Sequence, residues 1–294
     1  MNGAKPGRII FLLLSGGGKG HDANEAAQRA TWAKDNPAWG EIYWLKADPN
    51  RESVSIDESS RIIWIPCEES SANLLLKTVA ALQSLIESRS ISYVIRSNTS
   101  NYFHLRGVFE TVERLPSSGL YGGQIQSHRY IGRHSPWLRR IEYISGAGIW
   151  MSHDVAKLAA QIDTLEYRSL VDDVALGAHF VRRPMFEIRR VNLVDFEPLG
   201  PGHSLRVKSE VHPSETARRM RDVHEVFNSG NVDVLRRRLR EFDRLENQMM
   251  RCEPSFNSCR IEELTAAHAG TFETRLEMFR RVLFPSANHE LPMR

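Results

Sequence analysis

The chain has 294 residues, 41% of them hydrophobic and 26% charged, with a formal net charge of +3. That length holds one large core, or one core with a smaller helical module, and so mild a charge argues against nucleic acid as a partner. Three cysteines, Cys67, Cys252 and Cys259, show no C-x-x-C spacing of the kind that holds a metal, and read as free thiols in a reducing cytoplasm.

The first predicted element is Ile9 to Leu14. It is far shorter than the roughly 20 residues a bilayer requires and has no small-residue cleavage site behind it. It reads as a buried parallel strand that delivers the chain into the loop Ser15-Gly16-Gly17-Gly18-Lys19-Gly20. A helix is expected over Ala23 to Lys34, and Ile42 to Leu45 and Ile62 to Ile65 are the next strands. Leu74, Leu75, Val79, Leu82 and Ile86 recur at helical spacing from Asn73, and Tyr93-Val94-Ile95 supplies a further strand. Strands alternating with helices predict an α/β fold, a mostly parallel sheet between helices. Ligands of such sheets gather at the carboxyl ends of the strands, here after Leu14 and after Ile95.

Farther along, a helix over Val155 to Ile162 leads into Leu170-Val171-Asp172-Asp173-Val174, and the alternation ends near Phe196. The Pro/Gly stretch Glu197-Pro198-Leu199-Gly200-Pro201-Gly202 marks a boundary. The expected division is a nucleotide-binding domain over 1–197, then 198–294, a segment folding back over the site followed by a basic helical appendage. Its helices are predicted at Ser214 to Phe227, Val232 to Arg251 and Ala266 to Leu283.

Backbone amides of a glycine-rich loop can cradle phosphates. Two familiar patterns nevertheless fail: Lys19 is followed by Gly20 and His21 where a P-loop needs Ser or Thr, and His21 stands where the dinucleotide fingerprint needs its third glycine. The loop, with Ser15 at its start, is therefore either a nucleotide contact or a flexible strand-to-helix connection.

Four stretches in order resemble glycosyltransferase family 31, the β-1,3-galactosyl, N-acetylglucosaminyl and fringe-like group. They are Arg29-Ala30-Thr31-Trp32, Asn73-Leu74-Leu75-Leu76-Lys77-Thr78, Tyr143-Ile144-Ser145-Gly146-Ala147-Gly148-Ile149-Trp150-Met151-Ser152, and Val171-Asp172-Asp173-Val174-Ala175-Leu176-Gly177. The resemblance implies a GT-A-type fold, a nucleotide-sugar donor, normally a UDP-sugar, and inversion at the anomeric centre. It makes Arg29 an anchor for donor phosphate, against a plain reading as a solvated helix charge. Trp32 reads as packing, and Lys77 as a solvated or helix-packing residue, or else one that serves the site. Ser145, Gly146, Ala147 and Gly148 would line the donor and acceptor pocket, where small residues let backbone approach a sugar, or form a packing turn.

Asp172 and Asp173 are the strongest chemical candidates. Inverting transfer needs one carboxylate to take the acceptor hydroxyl proton. The resemblance gives that role to Asp173 and makes Asp172 a positioning or sugar-binding neighbour, while adjacent acids also suit a plain helix N-terminus.

The chain departs from the family at Tyr93 to Tyr102. Asn98, Thr99 and Ser100 stand where the family carries its D-x-D metal motif. Neutral oxygens make a poor site for a hard divalent cation, so no cofactor and no metal are expected, with Asn98 and Ser100 left to contact the donor. Fixed cations would offset the charge of the departing diphosphate. Arg206 and Lys208, alternating in an extended segment after His203, are the candidates, and His203 itself is a lone possible ligand.

Arginines at 218, 219, 221, 236, 237, 238, 240, 244 and 251 make the C-terminal helices basic. They read as a solvated surface, or as a peripheral contact with anionic membrane on its inner face. The expectation is an enzyme of the cytoplasm that moves a sugar from a nucleotide-sugar to a glycan or lipid-linked oligosaccharide acceptor. A non-catalytic nucleotide-sugar or glycan-binding module on the same fold is the alternative.

Overall fold

The computed structural model describes residues 8–34, 36–131, 138–168, 170–181, 189–192, 204–208, 213–229 and 237. The predicted helices over Val232 to Arg251 and Ala266 to Leu283, the Pro/Gly boundary stretch, His203, Cys252 and Cys259 lie outside them or nearly so. The chain divides into two compact units, 1–241 and 242–294, and everything described belongs to the first.

The strands are β1 (Arg8–Leu14), β2 (Gly40–Ala47), β3 (Ser55–Asp57), β4 (Ile62–Ile65), β5 (Ile91–Asn98), β6 (Asn101–Phe103), β7 (Leu120–Gly123), β8 (Ile125–Ile131), β9 (Leu138–Ile144), β10 (Ile149–Ser152), β11 (Arg189–Asn192) and β12 (Ser204–Arg206). The helices are α1 (Lys19–Ala30), α2 (Leu74–Ile86), α3 (Leu105–Val112), α4 (His153–Ala160), α5 (Asp172–Phe180) and α6 (Pro213–Asn228). An eight-stranded mixed sheet runs in the order β11-β7-β10-β5-β1-β2-β4-β3. Its heart is parallel: β1 pairs with β2 on one side and β5 on the other, and β2 pairs with β4. β10 enters antiparallel between β5 and β7.

The unbroken apolar run of β1 follows from burial on both faces. Ile10, Leu12 and Leu14 join the core formed with Val79, Leu82 and Leu85 of α2, Val155 and Ala159 of α4, and Val174 of α5. Phe11 points the other way, edge-on to Phe103 at 5.4 Å and tilted against Trp32 at 5.9 Å. Helices α2, α4 and α5 thus cover one face. The other is covered by α1, the short ribbon of β6 with β12, and α6 packed along α1. Among the described residues no helix is long and apolar enough to cross a membrane.

Candidate functional site

From β1 the chain builds outward through β2 and β4, then returns to lay β5 on the opposite side of β1. This reversal leaves a crevice at the carboxyl ends of β1 and β5, the position where open α/β sheets bind ligands. The loop after Leu14 and the loop after Asn98 form its walls, joined where the Thr99 amide donates to the Leu14 carbonyl at 3.4 Å. Because β10 is antiparallel to β5, its amino end brings residues 145–148 to the same edge. Ser97 Oγ donates to the Ala147 carbonyl at 2.7 Å, and the Asn101 amide donates to the same oxygen.

The glycine-rich loop is held from below and from the side. Lys77, fully buried in α2, donates its ammonium to the Ser15 carbonyl and pairs with Glu69. Glu69 in turn accepts from the Ala47 amide at 3.1 Å. Gly17 and Gly18 sit at φ of 73° and 81°, left-handed values that favour glycine. The Gly16 amide donates to His21 Nδ1 at 3.0 Å, and Thr99 Oγ1 lies 3.0 Å from the same nitrogen. An amide can only donate, so neutral His21 carries its proton on Nε2. Burial holds the His21 imidazole below its ordinary range; Glu69 and Asp22 oppose this, while Lys77 and Lys208 reinforce it.

The two adjacent acids at the start of α5 occupy different environments. Asp172 is 3% exposed and forms an ion pair with Arg96, itself 1% exposed in the middle of β5. Thr78 Oγ1 adds a hydrogen bond at 3.2 Å. Burial pushes the Asp172 carboxyl up, against the pull of Arg96, and the charge of Asp173 pushes in the same direction as burial. Asp173 is half-buried and accepts from the Gly146 amide at 2.8 Å through Oδ2. The Gly146 carbonyl receives Arg96 Nη1 at 2.7 Å. One residue, through its two flanking peptide groups, therefore links the guanidinium to the second carboxylate. A Cβ at Gly146 would stand 2.5 Å from Arg96 Nη1 and 3.1 Å from Asp173 Oδ2, so any side chain there would displace the guanidinium from this bridge. Tyr121 and Tyr143, whose phenols are raised chiefly by burial, also feel the charge of Asp173.

Asn98, Ser100, Ser145, Gly146, Ala147, Gly148, Asp172 and Asp173 thus come to one edge with Ser15. Ser15 and Ser100 are buried there, and what each is seen to supply is backbone: Ser100 accepts the Val207 amide at 3.1 Å. That bond and the pairing of β12 with β6 carry Lys208 to the glycine-rich loop, near enough to depress His21. The backbone of Arg206 pairs opposite Asn101, and its side chain is outside the described residues. Arg29 is not brought to the cluster. It lies at the end of α1, across the sheet from the crevice, where its guanidinium covers the Trp44 ring at 3.7 Å, bonds the Ser60 carbonyl at 2.7 Å and pairs with Glu25. The helix that begins at the crevice has carried it to the far edge. On α6, Arg218 pairs with Glu215 and Asp222, and Arg219 with Glu215.

Sequence reasoning passed over Arg96, Glu69 and His21 as site residues. The signal for Arg96 was present: a cation inside an otherwise apolar central strand must find a buried partner. Asn98, Thr99 and Ser100 provide neutral oxygens, with the Thr99 hydroxyl beside the imidazole. This donor set does not fit a hard divalent cation. Among the described residues no three His, Cys, Asp or Glu side chains converge as metal ligands. No protein-family model matches the chain, and no curated protein matches it.

Proposed function

We propose that the chain is an inverting glycosyltransferase of the GT-A type that moves a sugar from a nucleotide-sugar, UDP-linked, to a hydroxyl of a glycan or lipid-linked oligosaccharide, without a divalent metal. The observation that carries the reading is the division between the two acids. Asp172 is buried and neutralised by Arg96, which leaves Asp173 as the accessible carboxylate beside a crevice at the strand-order reversal. In the reaction, Asp173 accepts the acceptor hydroxyl proton. The acceptor oxygen forms its bond to the anomeric carbon as the bond from that carbon to the diphosphate oxygen breaks, and the electron pair leaves with the nucleoside diphosphate. Lys208 offsets the accumulating charge in place of a metal.

The test is turnover of UDP-, GDP-, CMP- and dTDP-sugars over an acceptor panel, with Asp173→Asn beside the parent chain. Asp173→Asn is expected to lose on the order of 10²-fold or more in transfer, while a donor that raises the melting temperature of the parent continues to do so for the variant. Near-normal turnover by the folded variant removes Asp173 as the base. The neutral triplet at Asn98–Ser100 favours a second reading, a nucleotide-sugar-binding module. Donor binding with neither hydrolysis nor transfer would select it.

A further inference from the structure

The crevice uses one edge of the sheet, and a second cavity lies toward the other. Trp32 follows α1 and Trp39 precedes β2, so both stand at the amino edge of the parallel strands, away from Ser15, Asn98 and Gly146. Between this turn, the start of α3 and the end of α6 opens a cleft of about 380 Å³, within the size of small-molecule sites. None of its lining residues belongs to the crevice.

The walls are aromatic and pre-set. Trp39 and Phe109, both half-buried, hold their ring centroids 5.2 Å apart at 38°. Trp32 forms the floor at 2% exposure, fixed edge-on against Phe103 at 5.2 Å. Opposite, His224 Nε2 lies 3.1 Å from the Asn228 side-chain nitrogen and Nδ1 lies 3.1 Å from Tyr102 Oη. The amide nitrogen donates, so Nε2 accepts and Nδ1 carries the proton toward the tyrosine oxygen. This arrangement locks one wall before any ligand arrives.

Two features define the occupant. The indole nitrogen of Trp32 is buried and offers no surface to a ligand, so the floor of the cleft presents ring carbon alone. Among the described residues no carboxylate lines the cleft, and the cation that does, Arg106, is 84% exposed and bonded to Glu110 at 3.0 Å. A phosphorylated ligand would meet only a cation already engaged, and an ammonium would meet no anion. What suits ring faces flanked by neutral planar polar groups is a ring that is apolar on its face and hydroxylated at its edge.

We infer that this cleft is a carbohydrate-binding subsite for a neutral pyranose ring, stacked by its C–H face on Trp39 and Phe109 and hydrogen-bonded at its rim by the Asn228 amide, with the Trp32 ring beneath as its reporter. It is separate from the chemistry of Asp173 and does not depend on it.

Saturation-transfer NMR with methyl β-glycosides of glucose, galactose and N-acetylglucosamine and their β-linked oligomers tests the assignment, read together with the Trp32 indole resonance. One sugar series is expected to bind and shift that resonance. Trp39→Ala should weaken binding about tenfold or more, Trp39→Phe should restore much of it, and Asp173→Asn should leave it unchanged. The melting temperature of each variant separates loss of the wall from loss of the fold. The inference is overturned if no sugar binds, if binding survives Trp39→Ala undiminished, or if adenosine monophosphate or an aromatic peptide shifts Trp32 and sugars do not. Sugar binding at the cleft without any transfer would remove the enzymatic reading and leave this one. Transfer with a silent cleft would do the reverse.

Discussion

Arg96 shows what a single side chain does for its neighbours. A guanidinium buried in a central strand is costly alone, and so is the Asp172 carboxylate beside it. Arg96→Met is expected to cost about 3–5 kcal/mol because it strands a buried anion, and the double change Arg96→Met with Asp172→Leu should recover most of it. Chemical denaturation of the two variants checks this. A double variant no more stable than the single one would show that the pair does more for folding than cancel its own charges.

His21 makes a pH prediction. Its folded-state basicity lies below the ordinary histidine value of 6.5, chiefly through burial. Between the two values the unfolded chain binds more protons, so stability rises with pH. The contribution is present above about 6.5 and is lost as pH falls through the folded value. His21→Asn keeps an acceptor for the Gly16 amide but cannot titrate, so its melting temperature should fall less steeply on acidification from neutral pH than that of the parent.

At the scale of elements, α5 is placed as much by what it lacks as by what it carries. A Cβ at Gly177 would come within 2.3 Å of Tyr143 Cβ and 3.0 Å of the Glu142 carbonyl, so the helix lies directly on β9. Gly177→Ala should destabilise by about 1–3 kcal/mol through overpacking, and with α5 displaced, any activity should fall as well. A melting-temperature series checks it, and an unchanged midpoint would mean that the helix has room to move. The long elements were legible from the residues: Ile62 to Ile65 is β4 as read, and the periodic run from Leu74 to Ile86 is α2. β3 and β6 were not, since each has three residues and no period can be seen in so few. The antiparallel entry of β10 was hidden for a different reason, because Ile149 to Ser152 reads equally well in either direction.

For the whole molecule, the small-residue loop and the acid pair were visible as local patterns. Their meeting with Arg96 and Thr78 was not, because it depends on distant contacts that neither composition nor spacing encodes. Arg29 shows the converse: its motif is local, but the axis of α1 carries it to the opposite edge. Lys208 is exposed and borne on the strap of β12. Lys208→Glu should change stability by no more than about 0.5 kcal/mol, the usual range for an exposed site, yet impair transfer, and transfer by the parent should persist in EDTA. Complete inactivation by EDTA reversed by Mn²⁺ would end the metal-independent mechanism, and normal rates in the variant would remove Lys208 from it.

β12 also fixes an order of events during synthesis. Domains form as the chain emerges from its N-terminal end, and every strand of the main sheet precedes Ser204. The sheet can therefore close while the strap and α6 are still to be made. A fragment ending at Asn192 is expected to retain the eight strands with β6 unpaired and the outer side of α1 bare. A nascent chain would pass through this same state, with an exposed strand edge that a chaperone or a second copy could occupy before the strap arrives.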